Sequence, residues 1–273
     1  MSAIVSSISS YLGGIACRFC WQLFQLLGVA CLLALLLQWS GRRLRVCGFS
    51  LIGKWYWYFV SPGVICHEAG HAVGCFITGT RLQKMIPFKP EEDGTLGYVL
   101  HEQRKGILGG WANFVIATGP LWFGGMAIVL LSTLFFGSMP IAPYGAYFAD
   151  GSAPGAVVYV CGLFESVLDA FSSLAHAGRW RWQFVLWLYL SFSIASEIGL
   201  SKVDIMHMKN GFVHLLILFL LLNLLPFVGQ SLSTLISRLL PYIFILHVMM
   251  LFSLTVNCVM LGVLLLLRRL MAR

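Results

Sequence analysis

His67, Glu68 and His71 form a His-Glu-x-x-His pattern within the segment His67-Glu68-Ala69-Gly70-His71. Residues four apart share one face of a helix, so the two imidazoles can converge on a single metal ion. Glu68, beside the first of them, is then placed to take a proton from water at that ion, the general-base role in zinc-assisted hydrolysis. The same residue types also occur as a polar pair packed in a helical bundle. Here the flanking residues are apolar enough to lie in lipid, where two His and a Glu are costly, and that cost favours a functional role.

A catalytic zinc commonly takes three protein ligands and keeps a fourth position open, so a third ligand has to be found. Cys75 continues the face of His67 and His71, but eight residues of helix separate it from His67 by about 12 Å. Cys66 is turned about 100° from that face. The better candidates are the acidic residues Glu165, Asp169, Glu197 and Asp204. Glu165 and Asp169 are an i, i+4 pair suited to the wet side of an interfacial helix. Glu197 and Asp204 lie in Ser196-Glu197-Ile198-Gly199-Leu200-Ser201-Lys202-Val203-Asp204, which is expected to close a span at the depth of His67 and His71. Either is equally suited to be a solvated acid at a helix end, and spacing alone does not choose between them.

The elements that must position these groups are membrane helices. Hydrophobic residues make up 59% of the chain, charged residues 10%, and mean hydropathy is +0.86. A soluble domain carries about 25% charged residues. The chain reads as an all-α polytopic membrane protein, surrounded by lipid and expected in the cell (plasma) membrane. Its formal charge of +8 comes from basic residues set between apolar runs, where they flank spans. There is no basic stripe with interleaved aromatics, so a nucleic-acid partner is not expected.

A lipid-crossing helix needs about 20 mostly apolar residues. About six spans are expected: Trp21 to Trp39, Trp55 to Thr78, one within Ile107 to Phe136, Trp182 to Leu200, Phe212 to Val228, and Tyr242 to Leu267. Placing both termini in the cytoplasm puts more Lys and Arg inside than outside, although Arg42, Arg43 and Arg45 then fall outside.

Residues 1–20 are expected to form an interfacial segment, with Ile4, Ile8, Leu12 and Ile15 near helical spacing. No Lys or Arg precedes these residues, as a signal peptide would require. Residues 21–273 form the membrane-embedded domain, with a hairpin loop over 80–106 and an extramembrane or re-entrant loop over 138–181. The apolar run Ala153 to Ala177 is interrupted by Glu165, Asp169 and His176, which favours an amphipathic or re-entrant helix over a seventh span. The eight cysteines are scattered, and Cys17-x-x-Cys20 without a second pair reads as small-residue packing. His101, His176, His207, His214 and His247 are isolated and read as structural or interfacial.

Leu82 to Leu100 breaks the helical pattern. Apolar residues flank Pro90-Glu91-Glu92-Asp93-Gly94, and Asp-Gly is a strong hairpin signal. Such a hairpin is either an ordinary surface feature or a strand edge on which an extended peptide can be held.

With these features assembled, the chain resembles the site-2 protease family of intramembrane zinc metalloproteases. His67-Glu68-x-x-His71 on the second span, the following hairpin, Ala117-Thr118-Gly119-Pro120 at the next helix, and an Asp-bearing motif later in the chain support the resemblance. The family's Asn-x-x-Pro followed five residues on by Asp is here Ser196, Gly199 and Asp204, with Asn and Pro both replaced. Asn223-Leu224-Leu225-Pro226 keeps the Asn and Pro, but Ser231 then stands where Asp should be. The resemblance implies that Asp204 is the third ligand, with His67 and His71, of a Zn2+ cofactor, and that Glu68 is the catalytic base. It implies peptide-bond hydrolysis within or beside the spans of transmembrane protein substrates. Gly70 and Gly74 could allow close helix approach near the site. Two other readings stand beside this one. A membrane zinc hydrolase of the prenyl-protein protease type would use Glu165 or Glu197 as ligand, and a non-catalytic pseudo-protease or membrane binding protein would not need Glu68.

Overall fold

A computed structural model of the chain describes residues 2–92, 94–103, 105–137, 155–178 and 182–271. Asp93 of the expected turn, and residues 138–154 and 179–181 of the loop expected over 138–181, lie outside the described residues. Among the described residues the architecture is mostly helical, with one small two-stranded sheet. Among them, five helical stretches are long and apolar enough to cross a membrane: Ser9–Ile52, Gly106–Phe136, Ala156–Leu174, Lys202–Leu224 and Phe227–Met271.

The chain opens with α1 (Ser2–Leu23), which passes through a π-helical turn (Phe24–Gly28) into α2 (Val29–Ile52). The N-terminal residues and the first expected span are therefore one continuous helical run. It ends at Gly53, whose φ of +56° turns the chain away from the helix. A short α3 (Trp55–Phe59) leads into α4 (Ser61–Thr78), which begins with a proline in its first turn and ends at Gly79 in the left-handed conformation. Strands β1 (Leu82–Ile86) and β2 (Tyr98–His101) then pair antiparallel, as the hairpin reading expects, with Met85 opposite Val99 and Ile86 opposite Tyr98.

After the hairpin come α5 (Gly106–Phe136), α6 (Ala156–Gly178), α7 (Trp182–Glu197), α8 (Lys202–Leu224) and α9 (Pro226–Met271). Two boundaries differ from the sequence expectation in a way that matters. The segment expected to close the fourth span is divided: α7 stops at Glu197, and α8 starts at Lys202 with Asp204 in its first turn. The segment around Glu165 and Asp169 is one 23-residue helix, α6. It turns Tyr159, Leu163, Val167, Ala170 and Leu174 into the core and leaves Glu165 and Asp169 exposed. Neither α4 nor α7, both read as spans from the sequence, is among the five long apolar stretches.

The main core gathers α2, α5, α6, α7 and α9 around residues such as Leu37, Leu44, Ile128, Trp187, Phe244 and Phe252. Two polar side chains cross-link it: Trp187 Nε1 donates to Ser132 Oγ at 3.0 Å, and Asn257 Nδ2 donates to Ser40 Oγ at 3.1 Å and to the Ala195 carbonyl at 2.9 Å. Phe171 stacks on Phe252 with ring centroids 4.5 Å apart, fixing α6 against α9.

Candidate metal centre

Small residues set where α4 lies. A Cβ at Gly70 would come within 2.8 Å of the Gly119 and Pro120 backbone, and one at Gly74 within 2.8 Å of the Ile116 Cα. A Cβ at Gly63 would collide with the Ser193 carbonyl on α7, whose hydroxyl accepts the Gly63 N–H at 2.8 Å. The helix is thus clasped between α5 and α7 at near backbone contact. The Gly-Pro segment of α5 is the surface on which Gly70 rests. At the other edge of α5, Gly110 and Gly211 meet backbone to backbone, which draws α8 in beside the same site.

This packing aims both histidines. His67 Nδ1 lies 2.6 Å from the Glu197 carbonyl oxygen, and His71 Nδ1 lies 2.8 Å from the Ile116 carbonyl oxygen. A carbonyl has no proton to give, so each Nδ1 is the donor. In the neutral rings both Nε2 atoms then carry lone pairs. Those two atoms face one another at 3.2 Å. Two acceptors in contact repel unless a cation lies between them.

Asp204 completes the group. Its Oδ1 is 3.2 Å from His71 Nε2, and its Oδ2 is 3.7 Å from His67 Nε2. The carboxylate is held by a reciprocal cap at the start of α8: the Ser201 N–H donates to Asp204 Oδ2 at 2.7 Å, and the Asp204 N–H donates to Ser201 Oγ at 3.1 Å. One ligand atom from each of the three residues can be chosen so that all lie within 4.8 Å of one another. Ligands about 2.0–2.1 Å from a tetrahedral zinc stand roughly 3.3 Å apart. The Nε2–Nε2 and His71 Nε2–Asp204 Oδ1 separations, both 3.2 Å, meet that value, while His67 Nε2 stands 3.7 Å from the other carboxylate oxygen, Oδ2. The donor set of two imidazole nitrogens and a carboxylate oxygen could therefore hold zinc, with each histidine oriented through its other nitrogen.

Glu68 is buried beside this centre, beneath the hairpin. A Cβ at Gly97 would stand 3.0 Å from Glu68 Cγ, so the hairpin backbone lies directly over the Glu68 side chain. A cavity of about 480 Å³ opens here. Glu68, the three clustered residues and residues of β2 line it, together with Arg45 from α2 and Asn113 from α5.

Of the four acidic residues considered for the third position, Asp204 alone joins the histidines. The Glu197 side chain turns to Arg45, with Oε2 3.8 Å from the guanidinium, while its backbone carbonyl serves His67. Cys75 is buried outside the cluster. Asn223, of the rival Asn-x-x-Pro match, sits nineteen residues, or about 28 Å of helix, from Asp204. There its amide donates to Gln22 Oε1 at 2.7 Å and to the Phe219 carbonyl at 2.9 Å. Ser231 donates to the Phe227 carbonyl one turn back.

Arg45, expected outside with Arg42 and Arg43, borders the same cavity as the histidines because α2 continues past Trp39 to Ile52. The carbonyls of Ile116 and Glu197 escape sequence reasoning because any residue supplies one. Ser201 did leave a signal, since Ser-x-x-Asp is a helix-start pattern. Comparison with family models, curated proteins and solved structures gave no match.

Proposed function

We propose that the chain is an intramembrane zinc metalloprotease, similar in its chemistry to the site-2 protease family, that cuts transmembrane protein substrates within or beside their spans. The proposal includes a multi-pass placement with about six spans, in the plasma membrane. The observation behind it is the convergence of His67 Nε2, His71 Nε2 and the Asp204 carboxylate on one point, at the floor of a cavity that Glu68 and β2 share.

His67, His71 and Asp204 would hold the zinc, which when bound would supply Lewis acidity toward the scissile carbonyl and lower the pKa of a water. The chain's own residues do the rest. Glu68 takes the proton of the attacking water and delivers it to the departing amine nitrogen. Strand β2, paired with β1 in a two-stranded sheet, offers its other edge to an extended peptide. That edge matters because a helical substrate hides its scissile bond in its own hydrogen-bond ladder.

The prenyl-protein protease reading requires a glutamate ligand. Glu197 is engaged with Arg45 and Glu165 is exposed on α6, so neither favours it. The discriminating experiment incubates zinc-loaded wild type and Glu68→Gln with a fluorescent transmembrane peptide in nanodiscs. Cleavage slower by about 10²–10⁴-fold in the variant, at equal zinc content, is expected. Equal cleavage rates would rule the protease reading out.

A further inference from the structure

On the wall of the same cavity, Arg45 and Glu197 form a pair that is incomplete by itself. The Arg45 guanidinium is 3.8 Å from Glu197 Oε2, an ion-pair distance too long for the two-pronged hydrogen bonding that Arg and a carboxylate usually adopt. Its side chain is 46% exposed, while that of Glu197 is 6% exposed. Glu197 Oε1 is buried with no hydrogen-bond partner. So is the hydroxyl of Tyr56, which lies within electrostatic reach of both charges and packs its ring over Gly48, one turn along α2 from Arg45. A buried carboxylate oxygen without a donor is expensive. Nothing in the centre of His67, His71 and Asp204 relieves it, because Glu197 contributes only its backbone carbonyl there.

The free capacities of the ion pair itself are one donor fork, on Arg45, and one acceptor, on Glu197. A ligand carboxylate would meet Arg45 but be repelled by Glu197, and a ligand cation would meet the reverse. A neutral group carrying a carbonyl and an N–H side by side satisfies both. That group is the peptide unit.

We propose that Arg45 and Glu197 form a backbone clamp for the substrate. Arg45 donates to a peptide carbonyl and Glu197 accepts the N–H of the same extended segment, opposite the edge of β2. The inference rests on the protease reading and assigns two substrate-positioning residues to it. The segment would be gripped on both sides: by β2 on one edge and by the Arg45–Glu197 wall on the other, with His67, His71 and Asp204 beneath. Because Glu197 also holds His67 through its carbonyl, the clamp and the metal ligand share one residue.

The test measures binding rather than turnover. A fluorescent transmembrane peptide is titrated into zinc-loaded Glu68→Gln protein in nanodiscs, alone or with Arg45→Gln, Arg45→Lys or Glu197→Ala added. A series of the same peptide, N-methylated at one backbone position at a time, is run alongside. Arg45→Gln is expected to weaken binding roughly tenfold, and Arg45→Lys less, with zinc content unchanged in both. One N-methyl position is expected to weaken binding by a similar factor in Glu68→Gln protein and to have no further effect once Glu197→Ala has removed the acceptor. Unchanged peptide affinity in Arg45→Gln would overturn the clamp and leave the metal-centre reading standing. So would an N-methyl effect that adds in full to Glu197→Ala. Failure of the protease reading registers separately, as cleavage that does not depend on Glu68.

Discussion

Ser201 and Asp204 cap the start of α8 by exchanging hydrogen bonds, and the carboxylate that closes this cap is the same one that reaches His71 at 3.2 Å. Capping and metal binding are thus parts of one local structure. The Ser201 N–H fixes Oδ2, which leaves Oδ1 turned toward His71. Asp204→Ala is expected to abolish zinc binding measured by elemental analysis of purified protein. Ser201→Ala removes the hydroxyl that accepts the Asp204 N–H but keeps the backbone N–H that holds Oδ2, so zinc affinity should change little. Loss of the cap adds a cost of about 1 kcal/mol to α8, visible in thermal unfolding of the zinc-free protein. Full zinc content in Asp204→Ala would remove Asp204 from the centre.

Chelation gives an independent handle. Three acceptors crowded to within 4.8 Å repel one another in the absence of a cation, so metal should stabilise the fold that brings α4 to α8. At a free zinc concentration one hundred times the dissociation constant, the gain is about 2.7 kcal/mol. Treating purified protein with a chelator should lower its unfolding temperature, and returning zinc should restore it. Asp204→Ala should show no such response. A chelator-insensitive wild type would mean that the cluster does not bind metal.

The sequence discloses this site unevenly. His67, Glu68 and His71 are legible because their spacing is local and one helix delivers it. The hairpin is legible from Pro90 to Gly94. The third ligand is not, since it arrives from a different helix and four acids satisfy the same loose requirement. What separates Asp204 from Glu197 is the break between α7 and α8, and its mark in the sequence is the Ser201-x-x-Asp204 cap rather than any apolar pattern. Helix boundaries in a chain this hydrophobic are poorly marked, because apolar residues fill lipid-facing and core-facing positions alike. That is why Arg45 reads as a loop residue although α2 brings it to the cavity wall.

The crossing of α4 and α5 makes a sharper demand than helix propensity. Gly70→Ala would press a methyl against the Gly119 and Pro120 backbone, which no side-chain rotation can relieve. The helices must part, and His71 is the next residue, with its Nδ1–H bonded to the Ile116 carbonyl on the opposing helix. Destabilisation of about 1–3 kcal/mol is expected, together with weaker zinc binding. Gly262→Ala, at a position on α9 with nothing within 4 Å, is the matched control and should leave zinc affinity unchanged. If Gly70→Ala keeps wild-type stability and zinc affinity, the close crossing is not what positions His71.

Stability and chemistry should also separate at a second buried histidine. Tyr159 Oη and His247 Nδ1 hydrogen-bond at 2.7 Å in the core between α6 and α9, and His247 Nε2 has no partner. His247 is fully buried and Tyr159 nearly so. Removing the hydroxyl in Tyr159→Phe strands both imidazole nitrogens in an apolar surrounding while hardly changing the packed volume. The cost should be about 1–3 kcal/mol, the penalty for a buried polar group left unpaired. Because neither Tyr159 nor His247 lines the cavity at the metal centre, zinc content and peptide cleavage at a permissive temperature should match wild type. His247→Phe in the Tyr159→Phe background would remove the stranded polar atoms and recover part of the loss. A Tyr159→Phe protein as stable as wild type would show that the imidazole finds another partner, and that α6 is not fastened to α9 through this bond.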